Sequence, residues 1–249
     1  MSEVARRCAC AQISEELIQI PRRRHRHWGC AMFRPISRVT ERLKSYGMTT
    51  AAQVAALLTL DPEPYYVELK ELARQVREHY ALTSPRIRCS DLRKIYRAQG
   101  IELILWPGKV RNVRGAYFND EWGVAVMVMK ELPEGPLVFT MAHELKHHLV
   151  DSDLKPYPRW RFDQPNPIEV GADLFAAELI YPEKAFEFDL GRMGRRVGDG
   201  PLDVLLRLKK KTGASLPHRI FRERAVLMGF APASLFRMSS WLKLEKADW

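Results

Sequence analysis

Two histidines four residues apart, with a glutamate directly after the first, stand in Met141-Ala142-His143-Glu144-Leu145-Lys146-His147-His148 and form the pattern H-E-x-x-H. On a helix, residues four apart lie about 40° from each other around the axis and one turn along it. His143 and His147 would then present two imidazoles to one metal ion. Glu144, beside them, could hold and deprotonate a water at that ion. The pattern arises by chance in roughly 1–2% of chains of this size and composition, too often to identify a metal site without its surroundings.

The surrounding elements would have to position these side chains. Ile101-Glu102-Leu103-Ile104-Leu105-Trp106 predicts a short strand from its β-branched and aromatic content. Residues 113–118 and 122–129 predict two more, joined through Asn119-Asp120-Glu121 as a hairpin. The run Val124-Ala125-Val126-Met127-Val128-Met129 is apolar at every position, as a strand buried on both faces requires. A small, mainly antiparallel sheet is expected to lead into the histidine segment. Glu134-Gly135-Pro136 predict the turn into a helix beginning near Leu137. On that helix Met141, Leu145 and Leu149 share one stripe, and His143 and His147 fall nearly opposite. Residues 151–167, rich in proline and aromatics, predict a loop. A second helix begins near Ile168, carries Ala172, Ala176 and Ala177, and ends before Pro182.

A catalytic zinc site takes three protein ligands and leaves one position open. Glu169 is the expected third ligand, because its helix could fold back antiparallel and its alanines permit close approach. Asp173, one turn on, could accept the free N–H of His143 and fix that ring's tautomer. An acidic pair at i, i+4 is by itself more often surface than site. Beside the histidine helix it completes a set of mutually consistent roles, with Glu144 as general base.

The 249 residues can bury a sizeable core and carry a formal charge of +10. No apolar run approaches the roughly 20 residues of a membrane span, and the N-terminus lacks the charge order of a signal peptide. A cytoplasmic protein with no membrane partner is expected. Four cysteines are too few and too clustered for a disulfide framework. Cys8, Cys10 and Cys30 with His25 and His27 have poor spacing for a zinc site. Residues 1–35 read as a basic, poorly ordered extension around Arg22-Arg23-Arg24-His25-Arg26. Residues 36–83 predict a helical region. Two short helices around Gly47 there resemble a helix-turn-helix, but positions 50–60 carry no Arg or Lys to read bases, so packing is the expected role. Residues 84–190 hold the metal motif, and 191–249 form a basic, helical C-terminal region. The charge gives only weak support for a nucleic-acid partner.

Phe139-Thr140-Met141-Ala142-His143-Glu144-Leu145 resembles the "F-T-x-A-H-E-L" signature of the ImmA/IrrE-type metallopeptidases. Glu169-Val170-Gly171-Ala172-Asp173-Leu174-Phe175-Ala176-Ala177-Glu178-Leu179-Ile180-Tyr181-Pro182 is similar to their second, "E-x-x-A-N-x-F-A-A-x-L-L-x-P". The likeness covers residues 84–182 and continues faintly to Gly213-Ala214-Ser215 and Arg222. Asp173 replaces the usual Asn, and Lys146 and His148 depart from a motif that often has Gly after "H-E-L". The resemblance implies an α+β, zincin-like core with a gluzincin-like ligand set: Zn2+ on His143, His147 and Glu169, with His148 a non-ligand. It also implies zinc-dependent endoproteolysis of a regulatory protein, such as a helix-turn-helix repressor encoded nearby. The alternative is a non-proteolytic regulator that binds a repressor or DNA through the same scaffold. For an oxyanion stabiliser, Tyr157, Tyr181, His218 and Arg222 are available. His218 is the first choice, as it lies where the resemblance continues.

Overall fold

Leucines and aromatics at helical spacing make the first helix, α1 (Glu63–His79), which buries Tyr65, Leu69, Leu72, Ala73 and Val76 along one side. The computed structural model describes residues 58, 60–84, 86–107, 114–152, 166–193, 199–212 and 218–235. The extension 1–35 and all but two residues of the helix–glycine–helix segment lie outside that set. α2 (Cys89–Ala98) buries Leu92, Ile95 and Tyr96. Ser90, a residue type common at helix caps, lies inside its first turn. Arg88 takes the cap position, and the Asp91 carboxylate accepts the Arg88 N–H at 3.0 Å. At its other end Gly100 has φ +68°, with Gly100 N–H on Arg97 C=O and Ile101 N–H on Tyr96 C=O. That double closure needs the left-handed residue glycine supplies, and it throws the chain directly into the sheet.

The sheet has the strands β1 (Glu102–Trp106), β2 (Gly115–Asp120) and β3 (Gly123–Met129), in the order β1-β3-β2. It is mixed, and the expectation of a mainly antiparallel sheet is corrected: β2 pairs antiparallel with β3, but β1 pairs with it parallel, Trp106 facing Met129. The physical reason is β3 itself. Apolar throughout, it is best hidden in the centre, so the chain passes from β1 to the far edge and returns between the two. Val126 and Val128 face the helices, while Met127 meets Trp106 on the opposite face with Ile104, Phe118 and Met129 around them. The hairpin turns over Glu121 and Trp122, with Gly123 at φ +116°.

α3 (Glu134–Val150) starts three residues before the expected position, taking Gly135 and Pro136 into its first turn, where proline's missing N–H costs no bond. α4 (Pro167–Ile180) is capped by the Asn166 side chain on Ile168 N–H at 2.9 Å. α4 packs against both α1 and α3. The Tyr96 hydroxyl, buried, donates to Met141 C=O at 2.7 Å and ties α2 to α3. α5 (Glu183–Met193), α6 (Pro201–Thr212) and α7 (His218–Leu227) follow, with a 3-10 turn at Ala233–Leu235. Seven helices and three strands among the described residues make the fold α+β. The carboxylate of Glu178, fully buried on α4, pairs with Arg74 at 3.0 Å and Arg224 at 3.1 Å and accepts Glu183 N–H at 2.9 Å. One buried charge thus joins α1, α4, α5 and α7, and its partners offset the cost of desolvation.

At Gly171 α1 and α4 leave no room for a side chain: an added Cβ would lie 2.6 Å from Leu69 Cδ1 and 2.7 Å from Tyr65 Cε1. Both neighbours are buried and have little space to yield. Gly171→Val is therefore expected to lower the stability read from urea unfolding by about 1–3 kcal/mol. An unchanged midpoint would show that this helix pair can spread freely.

Candidate metal centre

His143, Glu144 and His147 come from the middle of α3, which runs beneath the sheet and beside α4. The histidine side of α3 is not a surface face: α4 covers it, and His147 retains only 5% of its surface. The contact register, His147 with Glu169 and His143 with Asp173, runs antiparallel. Three side chains converge. His143 Nε2 is 3.3 Å from His147 Nε2 and 3.1 Å from Glu169 Oε2, and His147 Nε2 is 3.8 Å from Glu169 Oε1. Zinc bonds of about 2.0–2.1 Å at tetrahedral angles put neighbouring ligand atoms about 3.3–3.4 Å apart. The observed separations bracket that length.

The tautomers follow from the acceptors. His143 Nδ1 faces Asp173 Oδ1 at 3.0 Å, and His147 Nδ1 faces Asp151 Oδ2 at 2.6 Å. An ionised carboxylate only accepts, so each Nδ1 carries the proton and each Nε2 is left to meet whatever lies between the rings. Two imidazole lone pairs and a carboxylate then point at one place, which calls for positive charge. Electrostatics agree. Burial alone would lower the His143 pKa, but its hydrogen bonds to Asp173 and Glu169 raise it to about 10. Burial would raise Glu169, yet the His143 hydrogen bond and the charges of His147 and His143 bring it down to about 2. A proton or a metal cation is equally served by that field, so the residues fit a metal.

Glu144, 7% exposed, lies beneath the edge strand β2. Burial pushes its carboxyl up, opposed by His143 and His147. Gly115 makes room for it: a Cβ there would lie 3.1 Å from Glu144 Oε1 and 2.3 Å from Thr140 Cγ2. Thr140 is β-branched, helical and buried, so it cannot swing aside cheaply. Gly115→Ala is expected to cost about 1–3 kcal/mol in urea unfolding, with Glu144 displaced along with α3. A midpoint equal to that of the unaltered chain would mean the strand and helix part without cost.

Two neighbours of the site were missed in the sequence. Asp151 lies four residues after His147, on the same helical face, and the spacing could have found it. It caps α3 at the start of a loop-like stretch, which hid it. Its carboxyl, which burial would raise, is held low by Lys146 and His147. Lys146 read as a departure from a motif; it is fully buried against that carboxylate.

Other expected residues fall elsewhere. His148 Nδ1 lies 3.3 Å from the Tyr117 hydroxyl, and burial lowers its pKa to about 4, leaving a neutral ring. The Tyr181 hydroxyl donates to Asp189 Oδ2 at 2.7 Å. Arg222 is half-buried on α7. Tyr157 lies outside the described residues, as does the side chain of His218, whose backbone opens α7. No helix among the described residues is long and apolar enough to cross a membrane.

Residues 97–216, from the end of α2 past α6, match the Peptidase_M78 family, described as the IrrE N-terminal-like domain. No curated protein matches the chain. The matched stretch holds every side chain of the His143, His147 and Glu169 cluster, and the family supports a metallopeptidase-type function with a protein substrate. Over that stretch the chain is similar to the ImmA/IrrE-type peptidases, in agreement with the two signatures around His143 and Glu169.

Proposed function

We propose that the chain is a zinc-dependent endopeptidase that cleaves a regulatory protein, such as a helix-turn-helix repressor encoded beside it. The observation that carries this reading is the convergence of His143 Nε2, His147 Nε2 and a Glu169 carboxylate oxygen, with both Nδ1 atoms held by carboxylates. His143, His147 and Glu169 would hold the ion, which when bound supplies Lewis acidity and an open coordination position. Glu144 takes a proton from the attacking water and returns it to the leaving amine nitrogen. Its burial under Gly115 raises its affinity for that proton. Asp173 and Asp151 hold the two rings so that neither turns its Nε2 away.

Incubating the purified chain with the neighbouring repressor tests this. A discrete fragment should form, disappear with a chelator and return with added zinc. Relief of repression with the repressor intact would instead favour a regulator that acts by binding, and a salt-sensitive shift of DNA would identify nucleic acid as its partner.

A further inference from the structure

Lysine is among the side chains least often fully buried, yet Lys146 has 0% of its surface exposed. Its ammonium has three N–H bonds and three acceptors around it. Nζ donates to Asp151 Oδ2 at 2.5 Å and to Ile168 C=O at 3.1 Å, and it lies over the Tyr65 ring, 5.4 Å from the centroid. These acceptors belong to three different elements: the C-terminal cap of α3, the first turn of α4 and the first turn of α1. Two of them adjoin the proposed metal ligands. Asp151 Oδ2 also accepts from His147 Nδ1, and Ile168 directly precedes Glu169.

We infer that Lys146 is a positioning residue of the metal centre, holding Asp151 against His147 and the start of α4 against α3, so that His147 and Glu169 stand one ion apart. The inference rests on zinc being held by His143, His147 and Glu169. Filling space alone would call for an apolar side chain, because burying an ammonium is costly unless its charge has a task. Asp151 is 1% exposed, and its Oδ1 has no hydrogen-bond partner among the described residues. The ammonium and the His147 Nδ1–H, both on Oδ2, compensate that buried carboxylate, and only the ammonium brings a full charge. Without it, the carboxylate loses what holds Oδ2 between His147 and α4.

The test uses the full chain as wild type, Lys146→Met, Asp151→Asn and the double variant. Zinc affinity is read by chelator competition, the ligand field by the visible spectrum of the Co(II) form, and folding by far-UV circular dichroism. Each single variant should bind zinc about 10–100-fold more weakly and shift the Co(II) bands. The double variant should bind no more weakly than the worse single one, since both break one arrangement. A folded Lys146→Met protein with wild-type affinity and spectrum overturns the inference, as do fully additive losses. Should Lys146→Met not fold, Lys146→Gln, which keeps an N–H donor without the charge, decides: unchanged affinity and spectrum overturn the inference, and a loss with displaced bands supports it. A wild-type chain that binds no zinc removes the metal centre itself, whereas zinc-loaded wild type with unaffected variants removes only the role of Lys146.

Discussion

Glu144→Gln is expected to keep zinc bound and to slow cleavage about 10²–10⁴-fold, the usual contribution of a positioned general base. Glutamine has the same shape and still fits under Gly115, where an added Cβ would lie only 3.1 Å from Glu144 Oε1. It cannot accept a proton, so the attacking water loses its base while His143, His147 and Glu169 are untouched. The comparison is a single-turnover cleavage rate for wild type and variant, with zinc measured by atomic emission on the same samples. Full zinc with a rate within about threefold of wild type would remove Glu144 from the chemistry, since no other loss explains so small a change. Lost zinc would mean that Glu144 supports the ligands instead of acting on water.

His143→Ala is expected to weaken zinc binding by at least about a hundredfold and to abolish cleavage with it. Four-ligand zinc sites bind with roughly 10–16 kcal/mol, so one ligand is worth about 3 kcal/mol, or about a hundredfold in affinity. The loss goes beyond one bond. His143 stands between Asp173 at 3.0 Å and Glu169 at 3.1 Å, and without its ring the two carboxylates face each other across a partly buried gap. Chelator competition gives the affinity, and circular dichroism checks the fold, which should persist because the His143 side chain lies at the open side of the site with 17% exposure. One zinc per chain retained at wild-type affinity would sink the assignment of His143 as a ligand.

Much of this arrangement could be read from local pattern. The two histidines share a face because four residues make one turn, and the helix they need was marked by Met141 and Leu145, both buried. The strand 124–129 was marked by its unbroken apolar run. Element ends were less accurate: α3 begins at Glu134, because proline is as acceptable in a first turn as in the loop before it. Ser90 has the chemistry of a cap, yet Arg88 takes the cap position and the Asp91 carboxylate accepts its N–H.

Residue types and spacing, by themselves, determined the H-E-x-x-H helix, the partner helix with Glu169 and Asp173, and the resemblance that both carry, because helical periodicity is a property of neighbours along the chain. Only the tertiary structure decided that β1 runs parallel to β3, that Gly115 makes space for Glu144, and that Lys146 lies buried between Asp151 and Ile168. Each of these depends on which distant segments come together, and a buried lysine and a surface one look alike until the helix that covers it is in place.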